Sequence, residues 1–174
     1  MELETCNMKT LVIGLGNPIL GDDGVGWKVV ERLSAKFDTP LGAEIQTLNV
    51  KRLTFDCASL GGLSLMERLV GYQRAIIIDS METGQSPAGS VRVYKLEELP
   101  NPSAGHSASA HDTSLITALD TAKAMGLPIP ESVEIVAIEA KNVYDFSEEL
   151  SPAVAEAVPL AAQAVINLLN KEEP

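Results

Sequence analysis

The chain has 174 residues, of which 45% are hydrophobic and 21% charged, a size and composition that predict one globular domain with a full core. Its 24 acidic residues outnumber the 13 basic ones, and the resulting net charge of −11 argues against nucleic acids and anionic lipids as partners. No apolar run approaches the ~20 residues of a membrane span, and the acidic N-terminus lacks the positive charge of a secretory signal, so we expect a cytoplasmic protein without membrane insertion.

The first predicted elements are a buried strand and an amphipathic helix joined by a glycine-rich turn. Residues 10–16 are almost all apolar, which is typical of a strand inside a parallel sheet. A helix is predicted over residues 24–37, with Asp22 or Asp23 as its cap. The apolar stripe of this helix comprises Val25, Val29, Val30, Leu33 and Phe37. Because fixed negative charge at a helix start competes with phosphate, the turn favours a cation over a nucleotide.

The rest of the chain continues the alternation of strands and helices. Further strands are predicted over residues 44–50, 75–79, 90–96 and 133–138. Further helices are predicted over residues 63–70, 112–125 and 152–169. The strand over 90–96 is expected at a sheet edge, antiparallel to its predecessor, because the connection before it is too short for a crossover helix. Residues 51–62 show no clear pattern, and residues 97–111 form a long loop of a type that is usually functional.

This order of elements predicts an α/β fold with three layers. We expect a twisted, mostly parallel sheet of about five strands, with helices on both faces and one antiparallel edge strand. The whole chain, residues 1–174, is expected to be a single domain with residues 1–8 and 171–174 frayed. In such folds the functional site lies at the carboxyl ends of the parallel strands.

Three potential metal ligands are predicted to meet at that edge of the sheet. Asp23 follows the first strand, Asp79 ends a later strand, and His111 ends the long loop and opens a helix. Two carboxylates and an imidazole suit zinc, nickel or a similar divalent ion, and three ligands leave a coordination position open. Such an ion polarises a carbonyl or activates a water; alternatively, one of the acids is the general base and the metal only an anchor. His106 is a rival ligand that no predicted element holds.

Other active-site chemistries fit the sequence poorly. The motif Gly14-Leu-Gly16-Asn-Pro-Ile19 begins like a dinucleotide fingerprint but has Ile19 at the third glycine. The chain has neither a GxxxxGK[ST] phosphate loop nor a GxSxG nucleophile elbow. Cys6 and Cys57 form no CxxC pair and are predicted to be reduced cytosolic thiols, and neither is placed beside a histidine as a thiol nucleophile would be.

Four blocks of the sequence, in this order, point to one protein family. The first is Gly14-Leu-Gly16-Asn17-Pro-Ile-Leu-Gly-Asp22-Asp23-Gly24-Val-Gly26. The second is Ile76-Ile-Ile-Asp79, and the third is the loop that ends in His111. The fourth joins Ile138-Glu139 to Leu150-Ser151-Pro152-Ala153-Val154 and a final helix. From residue 11 to residue 169 the chain resembles the hydrogenase maturation endopeptidases, proteases that trim the C-terminus of the large subunit of nickel-iron hydrogenases.

The resemblance implies roles for the three predicted ligands. In that family the corresponding acids and histidine bind metal, which assigns Asp23, Asp79 and His111 to metal binding and catalysis. The metal is expected to be the nickel already inserted in the precursor, and zinc or a similar ion could substitute. The partner is then the precursor of a nickel-iron hydrogenase large subunit, cut only after metal loading to release a C-terminal peptide. We expect the protein to be a monomer.

Two positions depart from the family pattern. Some relatives have Glu where this chain has Asp23, so the shorter side chain changes the geometry of the ligand but not its chemistry. The segment Gly61-Gly62-Leu63 stands where the family usually has Gly-Gly-Thr. An apolar side chain therefore replaces a hydroxyl in a loop expected to contact substrate.

Two other functions compete with the maturation protease. The segment Gly14-Leu-Gly16-Asn17-Pro18 also resembles the start of peptidyl-tRNA hydrolases. Those enzymes need a nearby histidine and a basic RNA-binding face, whereas this chain has Asp22-Asp23 and a net charge of −11. A non-catalytic metal-sensing or chaperone module would use the same three ligands and would bind the precursor without cleaving it.

Overall fold

One mixed β-sheet forms the centre of the molecule. The computed structural model describes residues 8–46, 52–99 and 110–171, without the side chains of Gln46 and of residues 110–114. The strands in these ranges are β1 (Lys9–Leu15), β2 (Glu44–Gln46), β3 (Arg52–Ala58), β4 (Arg74–Met81), β5 (Val91–Lys95) and β6 (Ser132–Glu139). The α-helices are α1 (Val25–Lys36), α2 (Gly62–Leu69), α3 (Ala110–Ala124) and α4 (Pro152–Asn170).

The order of the strands places four parallel strands at the centre of the sheet. The order is β2-β3-β1-β4-β6-β5. The neighbours β3, β1, β4 and β6 are parallel, whereas the edge strands β2 and β5 are antiparallel to β3 and β6. Since the parallel strands run in one direction, the ends of β1, β4 and β6 lie at the same edge of the sheet.

The two faces of the sheet carry separate apolar cores. Side chains alternate along β1, so Leu11, Ile13 and Leu15 belong to the core that also contains residues of α2 and α3. Val12 belongs instead to the core that contains residues of α1 and α4. The predicted three-layer α/β fold, with helices on both faces of a mostly parallel sheet, is confirmed.

The sheet has one more strand than expected. Six strands occur among the described residues, rather than about five. The unexpected strand is β3, which lies in the segment 51–62. Its polar residues Arg52, Thr54 and Asp56 interrupt the apolar run, and Thr54 is nevertheless buried. The pattern is therefore not the continuous apolar run of a central parallel strand. Polar and apolar residues alternate from Arg52 to Cys57, which is the pattern of a half-buried strand, and the sequence prediction overlooks it.

The two edge strands also differ from the expectation. The predicted strand over 44–50 coincides with β2 only at 44–46, and residues 47–50 lie outside the described ranges. β5 is antiparallel and at an edge, as predicted, but it pairs with β6 rather than with its predecessor β4. Both edges of the sheet are therefore antiparallel, instead of one. The predicted fraying of the termini falls almost entirely on residues 1–7 and 172–174, outside the described part of the chain.

Two glycines bring the turn after β1 into close contact with the sheet. A Cβ on Gly26, in the first turn of α1, would lie 2.5 Å from the carbonyl oxygens of Leu15 and Ile78. Gly16 has a φ of +111°, and a Cβ there would lie 1.9 Å from the carbonyl oxygen of Asp23. Only glycine avoids these clashes, so the turn is held against the ends of β1 and β4.

Among the described helices, α4 alone has the length and composition to cross a membrane. With 19 residues it comes close to the length of a membrane span, which the sequence analysis does not expect of any apolar segment. This is weak support for a membrane span, because the core helix of a soluble protein passes the same test. One side of α4 is buried in the core that it shares with α1. The buried residues are Val154, Ala157, Ala161, Ala162, Val165 and Leu168. The other side of α4 is exposed, so the packing is that of an amphipathic helix on one face of the sheet.

Candidate functional site

The two predicted carboxylate ligands lie at the carboxyl edge of the sheet. Asp79 is in β4, close to the end of the strand, and is 1% exposed. Asp23 is in a short 3-10 turn, Gly21–Gly24, between β1 and α1, and is partly buried. Both residues are at the positions in the fold that the sequence predicts.

Ser80 links the two acids. Its hydroxyl donates to Asp23 Oδ1 at 3.1 Å, and its backbone N–H donates to Asp79 Oδ1 at 2.9 Å. The other oxygen of Asp23, Oδ2, accepts from the N–H of Asn17 at 2.7 Å. These bonds hold the Asp23 side chain against the end of β4, where Asp79 is the residue before Ser80. Because side chains alternate along a strand, the side chains of Ser80 and Asp79 leave β4 on opposite sides. That Asp23 and Asp79 bind one ion together stays a prediction.

The third predicted ligand, His111, lies in the first turn of α3. Asp79 shares its side of β4 with Ile77 and Met81, since side chains alternate along a strand, and both belong to the core that contains residues of α3. The backbone therefore places the start of α3 on the Asp79 side of the sheet. The side chain of His111, and all of His106, lie outside the described residues.

The carboxylates fit a divalent cation chemically. The two oxygens of Asp23 accept hydrogen bonds from Asn17 and Ser80, and each has a further lone pair, so the carboxylate can bind a metal without losing these bonds. Carboxylate oxygens are suitable donors for divalent ions. No group of three potential ligands from Cys, His, Asp and Glu occurs among the side chains that the structure describes. The set formed with His111 stays a prediction.

Two further acids make this edge of the sheet strongly negative. Burial raises the pKa of Glu82, just after β4, and the negative charges of Glu139 and Asp23 raise it further. Glu139, at the end of β6, accepts hydrogen bonds from the N–H and Oγ1 of Thr83 (2.9 and 2.7 Å) and from the N–H of Gly84 (2.7 Å). The fixed negative charges favour the binding of a cation here.

Asp22 is buried and has a structural role. Its carboxylate accepts from the N–H and Oγ of Ser151 (2.7 and 2.9 Å) and from the N–H of Asn142 (3.3 Å). The prediction that Asp22 or Asp23 caps α1 is wrong, because the N-cap is Gly24 and no side chain caps this helix. Both acids lie before that position, in the 3-10 turn, and Asp22 joins this turn to the start of α4.

Ser80 and Glu82 are site residues that the sequence prediction misses. Ser80 follows Asp79 directly, and the rule that sites lie at the carboxyl ends of parallel strands could have identified it. Glu82 lies three residues beyond the end of the predicted strand at residue 79, so the sequence suggests an ordinary loop acid. Its proximity to Asp23 and Glu139 is a result of strand order, which the sequence leaves open.

Cys57, in β3, has the properties of an unreactive thiol. Burial, followed by the negative charges of Glu31 and Asp56, raises the pKa of this thiol to about 12. The thiolate is the nucleophilic form of cysteine, so a protonated thiol is inert at neutral pH. This agrees with the sequence-based interpretation that the chemistry does not depend on cysteine.

We expect Cys57 to resist alkylation in the folded protein. In a Cys6→Ser variant at about pH 8.5, half of an ordinary thiol is ionised, whereas a thiol with a pKa of about 12 is almost entirely protonated. Iodoacetamide should therefore react roughly a thousandfold more slowly with the folded chain than with the same chain in urea. Mass spectrometry of timed samples measures both rates. Similar rates in the two states would contradict the expectation.

Comparison with known proteins identifies the family. Residues 28–168 match the profile of the HycI family, described as hydrogenase maturation protease. The HupD hydrogenase expression/formation protein of Rhizobium leguminosarum bv. viciae is 24% identical over 162 residues, which cover 93% of this chain and 74% of HupD. HupD of Rhodobacter capsulatus is 27% identical over 161 residues, covering 92% of this chain and 71% of HupD. The profile match includes Asp79 and His111 and begins after Asp23.

Solved structures support the same fold. The hydrogenase maturating endopeptidase HybD from E. coli superposes with a TM-score of 0.72 at 22% identity, covering 93% of this chain and 92% of HybD. The nickel-iron hydrogenase maturation protease HybD from Thermococcus kodakarensis superposes with a TM-score of 0.66 at 24% identity, covering 92% of this chain and 99% of that protein. Because the family profile covers most of the chain, the resemblance predicted from the four sequence blocks is confirmed: the chain belongs to the hydrogenase maturation protease family.

Proposed function

We propose that this protease removes a C-terminal peptide from the precursor of a nickel-iron hydrogenase large subunit, after nickel has been inserted into that precursor. Membership of the family supports a protease that acts in hydrogenase maturation. The observation that supports the nickel requirement is the position of Asp23 and Asp79 at the same edge of the sheet, an edge made negative by Glu82 and Glu139. Such an edge attracts a cation that the substrate brings with it.

In this proposal nickel is part of the substrate. Asp23, Asp79 and His111 hold it, and a precursor without nickel lacks the anchor that places its scissile bond in the cleft. The interaction favours the nickel-containing precursor over the nickel-free one, because burying carboxylates is costly unless a cation compensates their charge. Asp79 is 1% exposed, so in this proposal it binds the ion from within the folded structure, whereas Asp23 binds it from the partly exposed turn.

The two carboxylates have different access to water. Asp23 is partly exposed, whereas Asp79 is buried. A general base must lie within hydrogen-bond reach of the water that it deprotonates. We therefore assign proton acceptance to Asp23 in addition to metal binding, and metal binding alone to Asp79 and His111. The nickel of the substrate would supply a Lewis acid next to the scissile carbonyl.

The test is a mass measurement on purified components. Candidate large-subunit precursors, each prepared with and without nickel, are mixed with the protease, and the loss of a C-terminal peptide is read from the intact mass. We expect loss of the peptide only from a nickel-containing precursor. Binding without peptide release would favour a metal-sensing chaperone, and equal processing without nickel would contradict the role of nickel. We also propose that the protein acts in the cytoplasm and that it is a monomer. Sedimentation of the same sample measures the oligomeric state.

A further inference from the structure

Exposed apolar side chains lie on the loop between β6 and α4 and on the turn after β1. Tyr144 is 82% exposed and Phe146 is 85% exposed, and Ile19 is 39% exposed. The chain has only three tyrosines, three phenylalanines and one tryptophan, and two of its other aromatic residues, Phe37 and Phe55, pack against each other with ring centroids 5.4 Å apart. Two aromatic residues exposed on one loop are therefore unusual. Ile19, Tyr144 and Phe146 are called the apolar patch below.

The patch is fixed in place by backbone hydrogen bonds. Leu20 and Ser147 form a parallel β-bridge, and Ile19 and Phe146 stand one residue before the two bridged residues. The N–H of Ser147 donates to the carbonyl oxygen of Ile19 at 3.1 Å, and the N–H of Gly21 donates to that of Ser147 at 2.7 Å. The two segments therefore form one unit, and the exposure of the apolar side chains is a property of the folded structure.

The patch borders the acidic site. The N–H of Asp22 donates to the carbonyl oxygen of Asn142 at 3.0 Å, and the Asp22 carboxylate accepts from Asn142 and Ser151. Asp23 is the next residue in the same turn, and its carboxylate accepts from Ser80 at the end of β4. A polypeptide that reaches Asp23 and Asp79 from solvent can therefore contact the patch at the same time.

The charges around the patch indicate the chemistry of its partner. The exposed acids Asp145, Glu148 and Glu149 lie on the same loop, opposed by the exposed Lys141 alone among the residues from 141 to 149. From this arrangement we propose that the patch docks a segment of the hydrogenase precursor that combines apolar with basic side chains. This inference rests on the proposed function, and it adds the surface outside the metal site that recognises the substrate.

The expected effect is on substrate binding. Aromatic residues in the centre of an interface often contribute much of its binding energy. Because the patch contacts the precursor away from the reacting bond, its removal should raise KM and leave kcat unchanged. A double variant, Tyr144→Ser with Phe146→Ser, is expected to raise KM for the nickel-containing precursor by about tenfold or more.

A matched control comes from the rest of the surface. Met125 and Leu160 are 70% and 61% exposed, at the end of α3 and on α4. The double variant Met125→Ser with Leu160→Ser removes two exposed apolar side chains outside the patch and should leave both KM and kcat unchanged. Thermal unfolding of both double variants shows whether either has lost stability.

The outcomes separate this inference from the proposed function. If the wild-type protein does not process the precursor at all, the proposed function fails. If the wild type processes it and the Tyr144/Phe146 variant does so with the same KM, the docking inference is overturned and the proposed function stands. A wild type that sediments as a dimer, and a variant that is monomeric with unchanged KM, would assign the patch to self-association. Weaker binding at raised salt would support the contribution of the loop acids.

Discussion

An Asp23→Asn variant should fold like the parent protein but process a nickel-containing precursor at least about a hundredfold more slowly. Asparagine keeps an oxygen that can accept the Asn17 N–H, so we expect the free energy of unfolding to change by roughly 1 kcal/mol or less. It removes the negative charge and the basicity on which both metal binding and proton acceptance depend. Peptide release read by mass spectrometry, together with thermal unfolding, measures the two effects separately.

Three comparisons make this result specific to the site. His111→Ala should show a similar loss, because it removes the third proposed ligand. Ser80→Ala should show a smaller loss, since it removes only the hydroxyl that donates to Asp23 Oδ1. Asp38→Asn changes an exposed acid beyond the other end of α1 and should process the precursor normally. If Asp23→Asn and His111→Ala process the precursor at the parental rate, the proposed site is refuted.

The central part of the fold follows directly from local sequence patterns. The apolar runs of β1 and β4 predict buried parallel strands, and the helical spacing of Val25, Val29 and Leu33 predicts α1. Asp79 could be placed at the carboxyl edge because it ends a run of three isoleucines. These features depend only on neighbours in the chain, and for that reason the sequence is sufficient to predict them.

The features that the sequence does not predict depend on contacts between distant segments. The alternation from Arg52 to Cys57 does indicate that β3 is a strand, but its place beside β1 inside the sheet comes from pairing with a distant segment. The pairing of β5 with β6 rather than β4 is similarly a matter of strand order. Glu82 becomes part of an acidic group only because β4 and β6 are neighbours in the sheet.

The adjacent acids of the turn illustrate the same limit at the site. Both are plausible caps for α1, and nothing in their local sequence distinguishes them. In the structure, Asp22 bonds to Asn142 and Ser151, more than a hundred positions later, whereas Asp23 bonds to Asn17 and Ser80. The different roles of the two carboxylates thus result from which distant segment each one meets.

An Asp22→Ala variant should therefore lose stability rather than chemistry. Asp22 is 0% exposed and accepts three hydrogen bonds, so its removal leaves the N–H and Oγ of Ser151 and the N–H of Asn142 without this acceptor. We expect a loss of about 3–5 kcal/mol in the free energy of unfolding, because each hydrogen bond to a charged group contributes about 1.5–3 kcal/mol. For a domain of this size that corresponds to a fall in Tm of roughly 10 °C.

The control for this variant is Glu149→Ala, which removes an exposed acid from the loop that Asp22 binds and should leave Tm nearly unchanged. Denaturant unfolding gives the free energies, and processing is measured well below the lowered Tm, where the chain is still folded. The folded Asp22→Ala protein should retain most of its activity, in contrast to Asp23→Asn. In the parent protein the Asp22 carboxylate binds the start of α4 and not the substrate. An Asp22→Ala variant with parental stability and no activity would contradict the structural role of Asp22. It would show that Asp22 acts in the chemistry and does not hold the turn to α4.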